Sequence, residues 1–299
     1  MLPTAAELKG YEQIVRCKIC ASDRFVQITQ APLVNYYRCE RCTVIFLNPQ
    51  PTIETLKQQY THPELLTTGP ARAYSSHAPF HLKEINRPRL RNVLRYRAAQ
   101  GDLLDVGCGM GDFCILAKEA GFRVFGTEFS GQYAEVAKSV SGAEHVYVGR
   151  LQEIDFGNKM FDVISLWHVF EHLPDPLPTL VSLMGLLKPG GLISIEVPNA
   201  DESRNRPMYQ ADIEKCTIDR LEHLFYYSIR ALQNACMQVG LTILAANFVD
   251  APQPAKHMLT HIRRKIKRPA KQLFYIGRQN RGFSAVRIFA TASAISSTG

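Results

Sequence analysis

The chain has 299 residues, 46% of them hydrophobic, with a formal net charge of +8. That is enough apolar residue for one large core and a small accessory unit. No apolar run approaches the roughly 18–20 residues of a membrane span, and Met1 to Val15, interrupted by Glu7, Lys9 and Glu12, lacks a secretory apolar segment, so a cytoplasmic, reducing location is expected.

Two Cys-x-x-Cys pairs come first, Cys17/Cys20 and Cys39/Cys42, with 18 residues between them. This spacing matches a structural zinc site, in which four thiolates close a tetrahedron and leave no position for substrate. The stretches from Phe25 and from Asn35 read as ribbon strands. Two redox dithiols are the alternative reading, although the βαβ context of a thioredoxin-type pair is absent. The other cysteines, Cys108, Cys114, Cys216 and Cys236, read as small buried hydrophobes. Asn48 to Pro51 ends this first unit, Ile53 to Tyr60 reads as a short helix, and Thr67 to Pro70 reads as loop. Residues 80–97 read as a helix kinked or started at Pro88. They carry a basic cluster of Lys83, Arg87, Arg89, Arg91, Arg95 and Arg97.

An apolar strand over Leu103 to Val106 then stops at Gly107, Gly109 and Gly111, which permit positive φ and let backbone approach a ligand closely. A helix (Phe113 to Ala120) and a second strand follow. That strand ends in Glu128, about 20 positions on, where a carboxylate suits a ribose diol. His145 to Val148, Phe161 to His168 and Leu187 to Asn199 supply further strands, the middle one fully apolar in character. Gly240 to Val249 and Phe283 to Thr291 complete the set. Apolar strands alternating with helical segments predict a parallel sheet covered on both faces.

The D-x-G-x-G-x-G form from Asp105, the acidic end at Glu128 and the ordered segments after them resemble class I S-adenosylmethionine-dependent methyltransferases. The resemblance covers about residues 97–292. It implies an α/β, Rossmann-like doubly wound seven-stranded sheet whose last strand is antiparallel, with a small N-terminal zinc ribbon. The division expected is 1–50 for the ribbon, 51–96 for a helical linker or lid, and 97–299 for the methyltransferase domain, with a basic insertion at 253–281.

What the resemblance implies for the site can be assigned residue by residue. Gly107, Cys108, Gly109 and Gly111 form the loop under the S-adenosylmethionine, and Asp105 organises that loop and the donor's ammonium group. Glu128 takes the ribose hydroxyls, Phe129 packs on the adenine, and Leu151 and Gln152 line its edge. Arg150 stands where an acidic residue is common, so the contact to the exocyclic amine passes to Gln152 or Glu153. His168, at a strand end facing the crevice, is assigned to the cofactor and catalytic sets, its neutral imidazole being available near pH 7. A satisfied pocket-wall histidine is the other reading. Glu171-His172 reads as the start of the next helix, with His172 in local capping bonds. Glu222 and His223 resemble the Glu-His pair of zinc-ribbon sugar C-methyltransferases and are assigned to proton removal at the acceptor. Arg220 departs from the aromatic residue of that pattern, and a structural role for His223 stands beside the catalytic one.

From residue 251 onward there are ten Lys/Arg and no Asp/Glu, so the positive charge belongs to this tail. Met258, Ile262, Ile266 and Leu273 fall near a helical stripe, so 256–278 reads either as a peripheral contact with the anionic inner face of a membrane or as a helix packed on its own domain with a solvated basic face. The expected acceptor is a small molecule: a sugar, a glycolipid, or another lipid- or nucleotide-linked glycan precursor. No nucleic-acid partner is expected. The rival readings are an RNA methyltransferase, suggested by the ribbon and the charge, and a non-catalytic adaptor that keeps the fold.

Overall fold

The structure, a computed structural model, describes residues 7–31, 34–61, 81–201, 223–249 and 285–292. Glu222, Cys216 and the basic insertion, including 256–278, lie outside the described residues.

Short strands build the N-terminal unit: β1 (Tyr11–Glu12), β2 (Phe25–Gln27), β3 (Asn35–Cys39), β4 (Ile45–Asn48) and β5 (Gln50–Pro51). β2, β3 and β4 form an antiparallel meander, while β1 pairs with β5. Helix α1 (Ile53–Thr61) follows, as its periodicity predicts. The expected helix over 80–97 divides into a π-helical turn, His81–Asn86, and α2 (Arg87–Val93). Pro88 sits in the first turn of α2, where a missing N–H costs nothing.

Beyond α2 the chain alternates. β6 (Asp102–Val106), α3 (Asp112–Ala120), β7 (Arg123–Glu128), α4 (Gly131–Ser141) and β8 (His145–Val148) come first. β9 (Phe161–Trp167), α5 (Pro176–Gly185) and β10 (Leu187–Pro198) follow. β11 (Phe225–Tyr226), α6 (Ile229–Gln238), β12 (Leu241–Val249) and β13 (Ala285–Ala292) complete the series. Seven of these strands make one sheet in the order β12-β13-β10-β9-β6-β7-β8. All are parallel except β13, which runs antiparallel to β10 and β12. The predicted doubly wound sheet with an antiparallel last strand is therefore present. Its last strand is wedged between β10 and β12 rather than placed at the edge. Every residue of β9 is buried, the pattern of a strand covered by helices on both faces.

The order reverses between β6 and β9, and in such sheets ligands bind beyond the carboxyl ends of the strands at that switch point. The glycine loop leaves β6 there and His168 follows β9. Glu171 and His172 do not start a helix. They lie in a separate 3-10 turn, Phe170–His172, because Pro174 and Pro176 delay the next helix until Asp175 can precede it. The ribbon sheet also takes a strand from the far end of the chain: β11 pairs antiparallel with β4.

Candidate active site

The glycine-loop half of the crevice is made of backbone. Gly107 turns at φ 66°, and a Cβ there would stand 2.6 Å from Val169 Cγ2, so only glycine lets the loop close on the turn after β9. Gly109 turns at φ 54° with no atom within 4 Å of where its Cβ would be, leaving bare backbone open to a ligand. Its N–H donates to Glu128 Oε2 at 2.9 Å, and Ser130 N–H donates to Oε1 at 2.9 Å. Burial raises the Glu128 pKa against these amide bonds. Each oxygen keeps a lone pair, so the fixed carboxylate can accept from two neighbouring hydroxyls.

Asp105 lies beneath the loop rather than in it. Ser165 Oγ donates to its Oδ1 at 2.7 Å and Cys114 Sγ to its Oδ2 at 3.8 Å. Burial pushes its pKa up to about 7, opposed by the Ser165 bond and by Arg89. Cys108 is buried, with its N–H on Thr127 O at 2.9 Å. Gly111, at φ 88°, serves helix packing: a Cβ would meet Ser141 Cβ at 3.0 Å. Phe129 follows Glu128 and is half-buried, and Leu151 is buried in the turn Leu151–Glu153 after β8. Gln152 Nε2 donates to Thr179 Oγ1 at 2.8 Å, which ties that turn to α5. Glu153 pairs with Lys57 at 3.0 Å and with Arg150 at 3.4 Å.

The half beyond β9 and β10 is made of charged side chains. His168 follows β9 with φ 57°, and its two ring nitrogens each lie 3.3 Å from a carboxylate: Nδ1 from Glu171 Oε1, Nε2 from Glu196 Oε1. Desolvation opposes charge on the ring, yet Glu171 and Glu196 outweigh it and raise its pKa to about 9. A ring with a carboxylate beside each nitrogen is favoured as the imidazolium. The neutral imidazole expected at pH 7 is thus not the favoured state, although 42% of the side chain stays exposed. Glu196 is the hub. Arg89 of α2 donates to its Oε1 through Nη2 at 2.6 Å and Nε at 3.0 Å, and Arg287 of β13 donates to Oε2 through Nε at 2.6 Å. Burial would raise the Glu196 pKa, but the two guanidinium groups hold it well below the usual carboxylate range. Both also lie on Trp167, at 5.1 and 5.5 Å from its ring centroid.

Glu171 is the residue that the sequence reading left out of the site. It is fully buried, and neither oxygen has an aligned hydrogen bond among the described residues. Three histidines nonetheless surround it and, against burial, lower its pKa: His168, His172 and His223. The His172 and His223 rings are 4.9 Å apart, and His223 Nδ1 lies 2.9 Å from the Tyr226 hydroxyl. His172 thus faces the crevice cluster as well as its own turn. An acid-histidine dipeptide in the turn after a buried strand was the available signal.

Two groups of residues could hold a cation, Cys17/Cys20/Cys39/Cys42 and Glu171/His172/His223. In the first, Cys17 and Cys42 Sγ are 3.5 Å apart, as are those of Cys20 and Cys39. These separations are near the edge of a ZnS4 tetrahedron, about 3.8 Å for Zn–S bonds of about 2.3 Å, and far longer than a disulfide. Ile19 N–H points at Cys17 Sγ from 3.4 Å, as in a metal knuckle. The residues fit a structural zinc ion.

A sequence profile described as a methyltransferase domain matches residues 78–246, more than half of the chain. The chain belongs to that family. Its fold is the one found in class I S-adenosylmethionine-dependent methyltransferases. A chain in the complex between the Haloferax volcanii Trm112 methyltransferase activator and a methyltransferase superposes with a TM-score of 0.54 at 17% identity, over 75% of this chain and 97% of that one. A methyltransferase-fold structure from Bacillus halodurans gives 0.50 at 13% identity, over 69% of this chain and 98% of that one. The ubiquinone biosynthesis O-methyltransferase of Saccharophagus degradans is 35% identical over 35% of this chain and 47% of its own length. The 2-methyl-6-phytyl-1,4-hydroquinone methyltransferase of Synechocystis is 28% identical over 46% of each. The chain spans about half the length of these curated relatives. Within the family match lie the glycine loop, Glu128, His168, Glu171, Glu196 and His223, whereas the four cysteines lie before it.

Proposed function

We propose that this chain transfers the methyl group of S-adenosylmethionine to a small hydroxylated molecule. The observation that carries this reading is the Glu128 carboxylate, fixed by two backbone amides beside the bare Gly109. A carboxylate so held meets a ribose diol at no reorganisation cost. Gly107, Cys108 and Gly109 would carry the methionine part, Phe129 and Leu151 the adenine. The bound donor supplies an activated methyl group on a cationic sulfur. The chain's own work is to align the acceptor, exclude water and take its proton. His168, its pKa raised to about 9 by two carboxylates, is a poor acceptor for that proton near pH 7. His223 is the group we assign to it, with Glu222 beside it in sequence. Glu171, buried against His223, would stabilise the imidazolium that forms.

For the acceptor, the ribbon and the Glu222-His223 pair support a sugar, glycolipid or nucleotide-linked glycan precursor. The names of the relatives supply a second candidate class, the quinol-type phenols. The four cysteines are read as a structural zinc site. Contact of 256–278 with anionic lipid rests on charge alone, and deleting that run should abolish sedimentation with anionic vesicles.

The test is calorimetric titration of the purified chain with S-adenosylmethionine, then transfer of labelled methyl to nucleotide sugars, lipid-linked glycans and hydroquinones side by side. Micromolar donor affinity with label in one of these pools supports the reading; a folded chain with no donor affinity overturns it.

A further inference from the structure

We propose that the four-cysteine module is a positioning element of the acceptor site, holding His223 in place through Tyr36 and the β4–β11 pairing. This rests on the assignment of His223 to the acceptor and goes beyond it, since a structural zinc site by itself requires no contact with the reacting groups.

The connection can be followed atom by atom. Cys39 ends β3 and Cys42 lies in the turn to β4. Cys39 N–H bonds Val44 O at 2.9 Å, and Thr43, at φ 65°, returns its N–H to Cys39 O at 3.0 Å. The cysteines therefore close the hairpin from which β4 leaves. β4 pairs with the segment that follows His223: Phe46 opposite Phe225, Ile45 opposite Tyr226, with Leu47 N–H on Leu224 O at 2.9 Å. Tyr36, fully buried in β3, donates its hydroxyl to the His223 carbonyl at 2.8 Å, and its ring meets the Tyr226 ring edge-on at 5.4 Å. Thr43, next to Cys42, shares a hydroxyl bond of 3.0 Å with Ser228, which caps α6. On the other side Leu224 N–H bonds Glu171 O at 3.0 Å, and Ala200 N–H bonds Tyr227 O at 3.0 Å.

Residues 223–228 are thus strung between the hairpin and the crevice. The Tyr226 hydroxyl at His223 Nδ1 fixes the ring. With Nδ1–H donating to that oxygen, Nε2 is the basic nitrogen of the neutral ring. β11 is the edge strand of the four-stranded sheet β11-β4-β3-β2 and pairs with β4 alone, so its place follows the β3–β4 turn that the cysteines close. Tyr36 and Tyr226 are the positioning residues, and their contacts with His223 play the part that outer-shell hydrogen bonds play around a metal ligand.

The test uses the full chain as purified, with zinc measured, and follows His223 by nitrogen and proton resonances of its ring alongside donor affinity and kcat. Tyr36→Phe keeps the ring and removes one donor. It should shift the His223 resonances and lower kcat about tenfold, the size of one well-placed outer-shell bond, with donor Kd within twofold of wild type. Tyr37→Phe, on the same strand but bonded outward to Gln27 at 3.2 Å, should change neither. Chelation that strips the zinc should move the His223 resonances in the same direction while donor binding survives. If Tyr36→Phe and zinc removal both leave the His223 ring signals unmoved, the proposal is overturned. The same holds if donor affinity falls in step with kcat, which would mark a general loss of fold. Should no acceptor ever be found, the ring resonances still decide the coupling. Should His223→Ala retain full transfer, the proton-acceptor role fails while the coupling stands.

Discussion

The two halves of the crevice are held by different physics. The half read as the donor side is one stretch, Asp105 to Ser130, in which backbone amides of Gly109 and Ser130 fix a single carboxylate. The half read as the acceptor side gathers Arg89, His168, Glu171, Glu196, His223 and Arg287 from five separate segments of the chain, His168 and Glu171 sharing one, and holds them by charge. A motif can encode the first, since a turn and its bonding partner travel together in sequence. The second exists only once β10, β13 and α2 are packed.

The largest test of this contrast falls on Glu196. Replacing it by Gln leaves Arg89 and Arg287 as buried cations without their counterion, and breaking such a pair costs about 3–5 kcal/mol. Urea unfolding should show that loss, and a loss below about 1 kcal/mol would mean that packing rather than charge holds the acceptor half. Asp105→Asn should act in the opposite direction. Burial raises the folded pKa of Asp105 from 3.8 to about 7. Its contribution to stability is therefore full below pH 4 and declines as pH rises to about 7. At about 1.4 kcal/mol per unit, Asn should gain up to about 4 kcal/mol over the parent at pH 8 and nothing at pH 4. Equal unfolding free energies at both pH values would contradict it.

Glu128→Gln removes charge but little volume. It should weaken donor binding about 10- to 100-fold, the worth of a charge-assisted pair of hydrogen bonds, and lower stability by about 1–3 kcal/mol because its NH2 leaves one of the two backbone amides unpaired. An unaltered Kd would remove the donor half from the cofactor site. The smallest effect belongs to His168. Its folded pKa is raised to about 9, so its stabilisation is whole below about pH 6.5 and lost as pH climbs through 9. Solvent screening at a side chain 42% exposed keeps this small. His168→Gln should flatten the alkaline fall in melting temperature, and an unchanged slope would show that the ring is neutral.

Much of the fold was legible because it has local causes. Alternating apolar strands and glycine stops gave the sheet, and Pro88 gave the start of α2. The register of β13 was not legible, since the expected strand bounds say nothing about which neighbours it slots between. His172 was read as a capping residue because a motif shows its chain neighbours and not the His223 ring 4.9 Å away. His168 was read as neutral for the same reason: its two carboxylates come from the next turn and from a neighbouring strand.

By itself the amino-acid order determined the glycine bend, the acid that ends β7, the cysteine spacing and the alternation of strand and helix. Each depends on backbone geometry or on partners within a few turns of chain. Only the tertiary structure decided which charges share the low-dielectric interior. Protonation of His168, burial of Glu171 and the tie from Tyr36 to His223 depend on distances between residues as many as 187 positions apart. Electrostatic energy follows those distances and the solvent around them, and neither is written in the order of residues.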